Sequence, residues 1–191
     1  QGGKAAKLES GKVDLMGGIF AAASLYTGSF GSTNIWTQTA TVNFGQSFTA
    51  RPIALKGFYK YTSNVINLVK NVPAGVTIVK DQTLDQCAIY IALAKKTYTI
   101  DNGNQSTFID FKNDENIIAY GELPSGAATE GDGYVEFNIP LKYKNLTDQP
   151  THIIVVCSSS KYGDYMTGGA GSTLYVDDLS LIYDGTPTIW E

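Results

Sequence analysis

The chain has 191 residues, of which 43% are apolar, 12% aromatic and 17% charged, and its net charge is −4. Twelve Tyr and twenty Gly beside few charged residues predict an all-β protein and exclude a coiled coil or a helical bundle. Arg51 is the only arginine, so the basic face typical of nucleic-acid binding is missing. No apolar run approaches the roughly 20 residues of a membrane-spanning helix.

Short apolar runs of strand character recur along the chain, separated by clusters of Gly, Asn, Asp and Pro. No stretch keeps a helical period over ten residues, and the best helical candidate is a short turn near 62–69. We predict strands at 5–9, 18–24, 41–44, 53–61, 86–94, 117–120, 134–140, 152–158 and 173–183. These strands, with no linker between them, predict one domain over residues 1–191, an antiparallel two-sheet β-sandwich of jelly-roll type.

Alternation along two of these strands assigns their faces. One face of 85–93 is predicted to point into the core, and it carries Cys87, Ile89, Ile91 and Leu93, while Tyr90 lies on the outer face. Along 54–61, Lys56, Phe58 and Lys60 share a face, and because lysines are rarely buried unpaired, we expect that face to meet water.

The last long strand changes register. Leu174 and Val176 have one parity and Leu179 and Leu181 the other, although both pairs are apolar enough for the core. A one-residue bulge at Asp177 and Asp178 would reconcile the two pairs.

The two cysteines, Cys87 and Cys157, both lie in apolar strand-like runs. They are either buried free thiols or a disulfide between neighbouring strands, which requires Cα atoms within about 7 Å. A zinc site is not expected, because there is no CxxC pair and His152 is the only histidine.

Several segments together resemble a known family: AASLYTGSF (22–30), FGQSFTARP (44–52), LKGFYKY (55–61), SSSKYGDY (158–165) and GSTLYVDDL (171–179). They are similar to the putative carbohydrate metabolism domain of Bacteroidetes exported proteins and lipoproteins, over about 5–183. The resemblance implies a jelly-roll sandwich similar to carbohydrate-binding modules. It also implies an exported setting, in the periplasm or on the outer-membrane surface, within a longer protein whose signal or lipoprotein segment is not in this chain.

The YVDDL segment also resembles the closing strand of many jelly-roll carbohydrate-binding modules, where an acidic residue binds a structural calcium near the first strand. The resemblance therefore implies Asp177 or Asp178 as a calcium ligand. The alternative is a carboxylate pair that accepts backbone N–H groups at a bulge. No other cofactor is expected.

Exposed aromatic side chains are the candidates for stacking on sugar rings. Those predicted to face solvent are Trp36, Phe58, Tyr90, Tyr162, Tyr165 and Trp190. Trp36 falls in a polar loop over 31–41, and Tyr162 and Tyr165 fall in a glycine-rich loop over 158–172. The predicted ligand-binding residues are Trp36, Lys56, Phe58, Lys60, Tyr162, Asp164 and Tyr165. Each aromatic could instead pack across strands.

The leading hypothesis is a non-catalytic module that binds a poly- or oligosaccharide. The alternatives are a structural or adhesion module without a sugar site, and, less favoured, a jelly-roll glycoside hydrolase or polysaccharide lyase. A glycosidase needs two carboxylates about 5–10 Å apart. Most of the acidic residues of 110–132 fall in predicted loops without paired spacing, and no GxSxG motif occurs.

Overall fold

The structure, a computed structural model, describes residues 3–13 and 18–190. Two 3₁₀ turns, Gln105–Thr107 and Gly163–Tyr165, accompany the strands. The strands are β1 (Ala6–Glu9), β2 (Gly11–Val13), β3 (Ile19–Ala21), β4 (Ser24–Tyr26), β5 (Gly28–Asn34), β6 (Thr39–Phe44), β7 (Gln46–Ser47), β8 (Ala54–Thr62), β9 (Ala88–Ala94), β10 (Tyr98–Asp101), β11 (Ile117–Glu122), β12 (Val135–Pro140), β13 (Lys142–Tyr143), β14 (His152–Ser158), β15 (Thr173–Ile182) and β16 (Thr188–Ile189).

Two large sheets form the sandwich. The four-stranded sheet has the order β1-β15-β8-β12, and the seven-stranded sheet has the order β16-β13-β11-β9-β14-β4, with β7 also paired to β14. The strand pairs of both sheets are antiparallel except for the parallel pair of β13 and β16. With 47% strand and 3% helix, the all-β jelly-roll sandwich predicted from the sequence is confirmed.

The main core lies between these two sheets, as alternation predicts. Cys87, Ile89, Ile91 and Leu93 are all buried in it, and they pack against side chains of the opposite sheet such as Leu55 and Leu174. Because every second residue of β9 is apolar, one face of the strand is fixed toward this core.

A third sheet, which the sequence did not reveal, covers the outer face of the seven-stranded sheet. It has the order β10-β6-β5, and a second core forms beneath it from residues such as Phe44, Ala92 and Ile154. Tyr90 does lie on the outer face, but it is half-buried beside this core rather than open to solvent.

Three sequence predictions need correction. Residues 62–69 form no helical turn but join neighbouring segments through the bridges Val65↔Leu84 and Leu68↔Gly168, in line with their β-branched content. The predicted strand 18–24 is divided into β3 and β4. The predicted loop 31–41 is the tip of a hairpin between β5 and β6, which leaves only a short turn around Trp36.

The two other structural expectations are resolved. Cys87 and Cys157 are free and buried, which excludes the disulfide alternative, and burial raises the pKa of each thiol to about 12. A bulge in β15 is confirmed, but it lies one residue further on than predicted: Asp177 pairs with Phe58 and Ser180 with Lys56, so Asp178 and Leu179 face Gly57 alone. Leu179, expected to point into the core, is 37% exposed. No helix in the described ranges is long and apolar enough to cross a membrane.

Candidate functional site

An open cleft of about 670 Å³ lies on the side of the molecule that carries the third sheet. Its walls come from the β5–β6 hairpin, the antiparallel pair of β2 and β3, and the segment 158–164. Most of the lining is apolar, including Ile19, Phe20, Tyr26, Phe30, Val42 and Phe44. We call this space, between these two strand pairs and the 158–164 segment, the cleft.

Aromatic rings give the cleft its shape. Tyr26 and Phe44 meet edge to face, with centroids 5.4 Å apart, and this contact holds Tyr26 against the sandwich. Phe30 stands on the edge strand β5 and is 61% exposed, and Ile35 beside the hairpin tip is 57% exposed. The cleft therefore offers apolar surface at its mouth that nothing in the described part of the chain covers.

Glycine permits the close approach that forms one end of the cleft. A Cβ atom added at Gly163 would lie 2.5 Å from the Cβ of Ala22, a contact that real side chains do not make. Without a side chain at Gly163, the segment that follows β14 can lie directly against the residues after β3. Its 3₁₀ turn then carries Asp164 to the cleft wall.

Asp164 is the carboxylate of the cleft. It lines both the main space and a smaller recess of about 40 Å³ that reaches Tyr90 and Lys161. Solvent reaches it through the cleft, yet protein atoms crowd it, and this desolvation raises the pKa of the carboxyl group. Its side chain makes no hydrogen bond or ion pair within residues 3–13 and 18–190, so its oxygens are available to a ligand.

Two amide side chains on the wall are held in defined orientations. The Oδ1 atom of Asn34 accepts the N–H groups of Trp36 (3.0 Å) and Thr37 (3.2 Å), and the Oδ1 atom of Asn102 accepts the N–H of Ala40 (2.8 Å). Because both carbonyl oxygens are engaged, each NH₂ group is left to donate. The cleft thus combines amide donors with a carboxylate acceptor.

The predicted ligand-binding residues separate into two groups. Trp36, Tyr162, Asp164 and Tyr165 lie in or next to the segments that form the cleft, but of these four only Asp164 lines it. Trp36 is 86% exposed at the tip of the β5–β6 hairpin, just outside the lining. Tyr162 is half-buried before the 3₁₀ turn, and Tyr165 packs edge to face on Phe108 with centroids 5.0 Å apart.

Lys56, Phe58 and Lys60 lie on the outer face of the four-stranded sheet, which we call the lysine face. Lys56 pairs with Glu136 at 2.5 Å, and Lys60 approaches Asp132 at 3.6 Å. Phe58 is half-buried between these pairs. The whole sandwich core separates the lysine face from the cleft, so the two groups cannot contact one ligand ring.

The acidic pair of the bulge has its own local hydrogen bond. The N–H of Asp178 donates to Oδ1 of Asp177 at 2.9 Å, and Asp178 has a positive φ of 50°. In the described part of the chain, no group of three or more His, Cys, Asp or Glu side chains is placed to hold a metal ion. Calcium at Asp177 or Asp178 therefore stays a prediction, and most of its ligands would be carbonyls and waters.

Sequence reasoning missed an aromatic row on the outer face of the seven-stranded sheet. Phe111 stacks on Tyr120 at 4.4 Å, Tyr120 on Trp190 at 6.1 Å, and Tyr90 meets Phe111 at 5.3 Å. Trp190, expected to face solvent, is half-buried by this stacking. Tyr90 and Tyr120 point to the same face of paired strands, and this pattern could have indicated the aromatic row from the sequence.

A buried carboxylate below the cleft was also missed. Asp85 is 1% exposed and accepts hydrogen bonds from Ser160 Oγ (2.5 Å), Gly169 N (2.8 Å) and Gln86 N (2.8 Å). Burial raises its pKa, although these donors oppose the shift. Asp85 thereby fastens both ends of the 158–172 loop, which carries Asp164, to the start of β9.

Fold and cleft together define the class of protein: a jelly-roll β-sandwich with an open, largely apolar cleft beside its third sheet. Residues 1–182 match the family described as "Putative carbohydrate metabolism domain", and the chain belongs to that family. The resemblance inferred from the sequence is confirmed. Among curated proteins, none matches the chain.

Two solved structures share the fold. One is a putative glycoside hydrolase from Bacteroides thetaiotaomicron, 24% identical, with a TM-score of 0.72 over 97% of this chain and 55% of that one. The other is a putative glycoside hydrolase from Bacteroides vulgatus, 25% identical, with a TM-score of 0.64 over 93% of this chain and 72% of that one. The chain thus spans about half the length of the first.

Proposed function

We propose that this domain is a non-catalytic glycan-binding module and that its ligand, a poly- or oligosaccharide, lies in the cleft. The observation that carries the proposal is the cleft itself: about 670 Å³ of space with aromatic walls, an unpartnered carboxylate and oriented amide donors. Membership of a carbohydrate-related family supports the ligand class.

The chemistry of the lining suits a sugar. A pyranose ring has an apolar face that packs on an aromatic ring, and hydroxyls at its edge that both donate and accept. Phe30 and Tyr26 offer the rings, Asp164 accepts, and the NH₂ groups of Asn34 and Asn102 donate. Trp36, at the hairpin tip, would stack on a sugar unit that leaves the cleft.

The lining also favours binding over hydrolysis. Asp164 is the only carboxylate among the described residues that line the cleft, whereas a glycosidase uses two. The names of the two similar structures do not assign hydrolysis to this domain, because the chain covers only 55% and 72% of them. A structural module without a sugar site is the remaining alternative, and it would leave the cleft without a glycan.

The setting proposed with this function is the cell envelope. Both similar structures come from Bacteroides species, which supports a Bacteroidetes source. The domain would act there as one part of a longer exported protein, holding a glycan near its neighbours.

The test is retention in affinity gels that contain soluble polysaccharides, followed by calorimetry on those that retain the domain. Phe30→Ala and Trp36→Ala should each weaken binding about tenfold, since truncating an aromatic anchor typically costs more than about 1 kcal/mol. Phe58→Ala, on the lysine face, is the matched control and should bind as the wild type does.

Two results would contradict the proposal. If Phe58→Ala loses binding while Phe30→Ala and Trp36→Ala keep it, the glycan lies on the lysine face. If no polysaccharide in a broad panel is retained by the wild type, the structural-module alternative replaces the glycan-binding one.

A further inference from the structure

The segment that builds the cleft carries no formal charge over an unusual length. From residue 15 to residue 50 there is no Asp, Glu, Lys or Arg, although 17% of the whole chain is charged. This segment supplies most of the lining, from Ile19 to Phe44. The part of the cleft wall that this segment supplies is therefore uncharged.

Asp164 is then the one formal charge in the main space among the described residues. No Lys or Arg of the described ranges lines that space. Lys161 reaches only the narrow recess of about 40 Å³ beyond Asp164, and it is exposed. The described walls of the main space therefore hold amide donors but no cation to balance a second negative charge brought in by a ligand.

A carboxylate or sulfate group on a sugar would thus weaken binding in the cleft for two reasons. It would give up water for an apolar wall, and it would be repelled by the negative charge of Asp164 on the same wall. An uncharged sugar avoids both, because its hydroxyls donate to Asp164 and accept from the amides of Asn34 and Asn102. Specificity of this kind arises from a repulsive element as much as from attractive ones.

We infer that the cleft selects uncharged glycan chains and rejects uronate-containing or sulfated ones, with Asp164 as the residue that sets this preference. The inference rests on the proposed function and specifies its ligand class. It also assigns the lysine face no role in ligand choice, because Lys56 and Lys60 are occupied by Glu136 and Asp132.

The test uses soluble galactan, glucan and mannan, each beside the same polymer carboxylated at its primary hydroxyls. Wild type should bind at least one neutral polymer and bind its carboxylated form about tenfold more weakly or worse, the order expected for one unit charge near another at a protein surface. The difference should shrink as salt is raised, because the charges are partly screened.

Two variants separate charge from other effects. Asp164→Asn, close in shape but neutral, should weaken the neutral polymer severalfold and raise affinity for the carboxylated form, so the ratio between the two falls. Asp184→Asn removes an equal charge at an exposed position that does not line the cleft, and should leave the ratio unchanged.

The outcomes are distinguishable. Retention of carboxylated and neutral polymers alike by the wild type, or an unchanged ratio in Asp164→Asn, overturns the inference and leaves the glycan-binding function standing. Retention of neither form of any polymer overturns the proposed function, and the inference with it.

Discussion

The cleft and the lysine face differ in how the outer surface of a β-sheet meets water. On the lysine face, charged side chains cross from strand to strand and pair, as Lys56 does with Glu136. On the other side, a third sheet, whose strands β5 and β6 carry no charged residue, covers part of the surface and leaves a gap, where Phe30 and Ile35 stay exposed. On the lysine face, the charged groups are paired with one another. In the cleft, apolar surface and a carboxylate remain available to a ligand.

The buried network below the cleft gives the largest predicted effect. Asp85→Ala should lower the free energy of unfolding by about 3 kcal/mol, because the buried N–H of Gly169 loses its acceptor and the buried hydroxyl of Ser160 loses one of its partners. Urea denaturation measures the loss. Asp184→Ala, at an exposed position, should change stability by less than about 0.5 kcal/mol. Equal losses in the two variants would contradict the role given to Asp85.

The bulge beside the lysine face should respond less. Asp177→Ala removes the acceptor of the Asp178 N–H at a half-buried position, and we expect a loss of about 1 kcal/mol. Asp178→Gly should stabilise by up to about 1 kcal/mol, since Gly adopts a positive φ without steric cost. If Asp177→Ala lowered the free energy of unfolding more than Asp85→Ala does, the predicted order of the two regions would be contradicted.

Calcium can be tested on the same variants. If calcium is bound at the bulge, EDTA should lower the melting temperature of the wild type and leave that of Asp177→Ala or Asp178→Ala, whichever ligates, unchanged. A wild type that melts at the same temperature with EDTA and with added calcium would remove the metal and keep the structural role of the bulge.

The smallest effect concerns pH. The pKa of Asp164 is raised in the folded state, so the folded protein holds its proton more tightly than the unfolded one does. Stability contributed by this group is therefore lost as pH rises from the ordinary value of 3.8 through the raised pKa. Relative to wild type, Asp164→Asn should gain stability between acid and neutral pH. A difference that is constant across pH would show that Asp164 is not desolvated.

The sequence alone predicted the buried side chains correctly where a strand alternates strictly between apolar and polar residues and has one buried face. The core set from Cys87 to Leu93 and the presence of a bulge in β15 could be predicted, because one slip of register moves every apolar side chain to the wrong side. The lysine face followed from the same rule. For these features, the pattern of apolar and polar residues along a single strand is enough to predict which face is buried.

The cleft could not be predicted in this way. The sequence of β5, GSFGSTN, is exposed along its whole length and has few residues that favour strands, so it forms a strand only because β6 pairs with it. The approach of Asp164 to the strands of the cleft depends on contacts between segments far apart in the chain, such as that of Gly163 with Ala22. Tyr90 likewise faces outward, as alternation requires, but what covers it is set by β6 and β10.

The most direct test of the central claim is a titration followed by nuclear magnetic resonance, with a neutral polysaccharide fragment that the domain retains. We predict that signals of Phe30, Asn34, Asn102 and Asp164 shift with the ligand, and that those of Lys56, Phe58 and Lys60 do not. Shifts confined to the lysine face, with the cleft signals unchanged at saturation, would contradict the account.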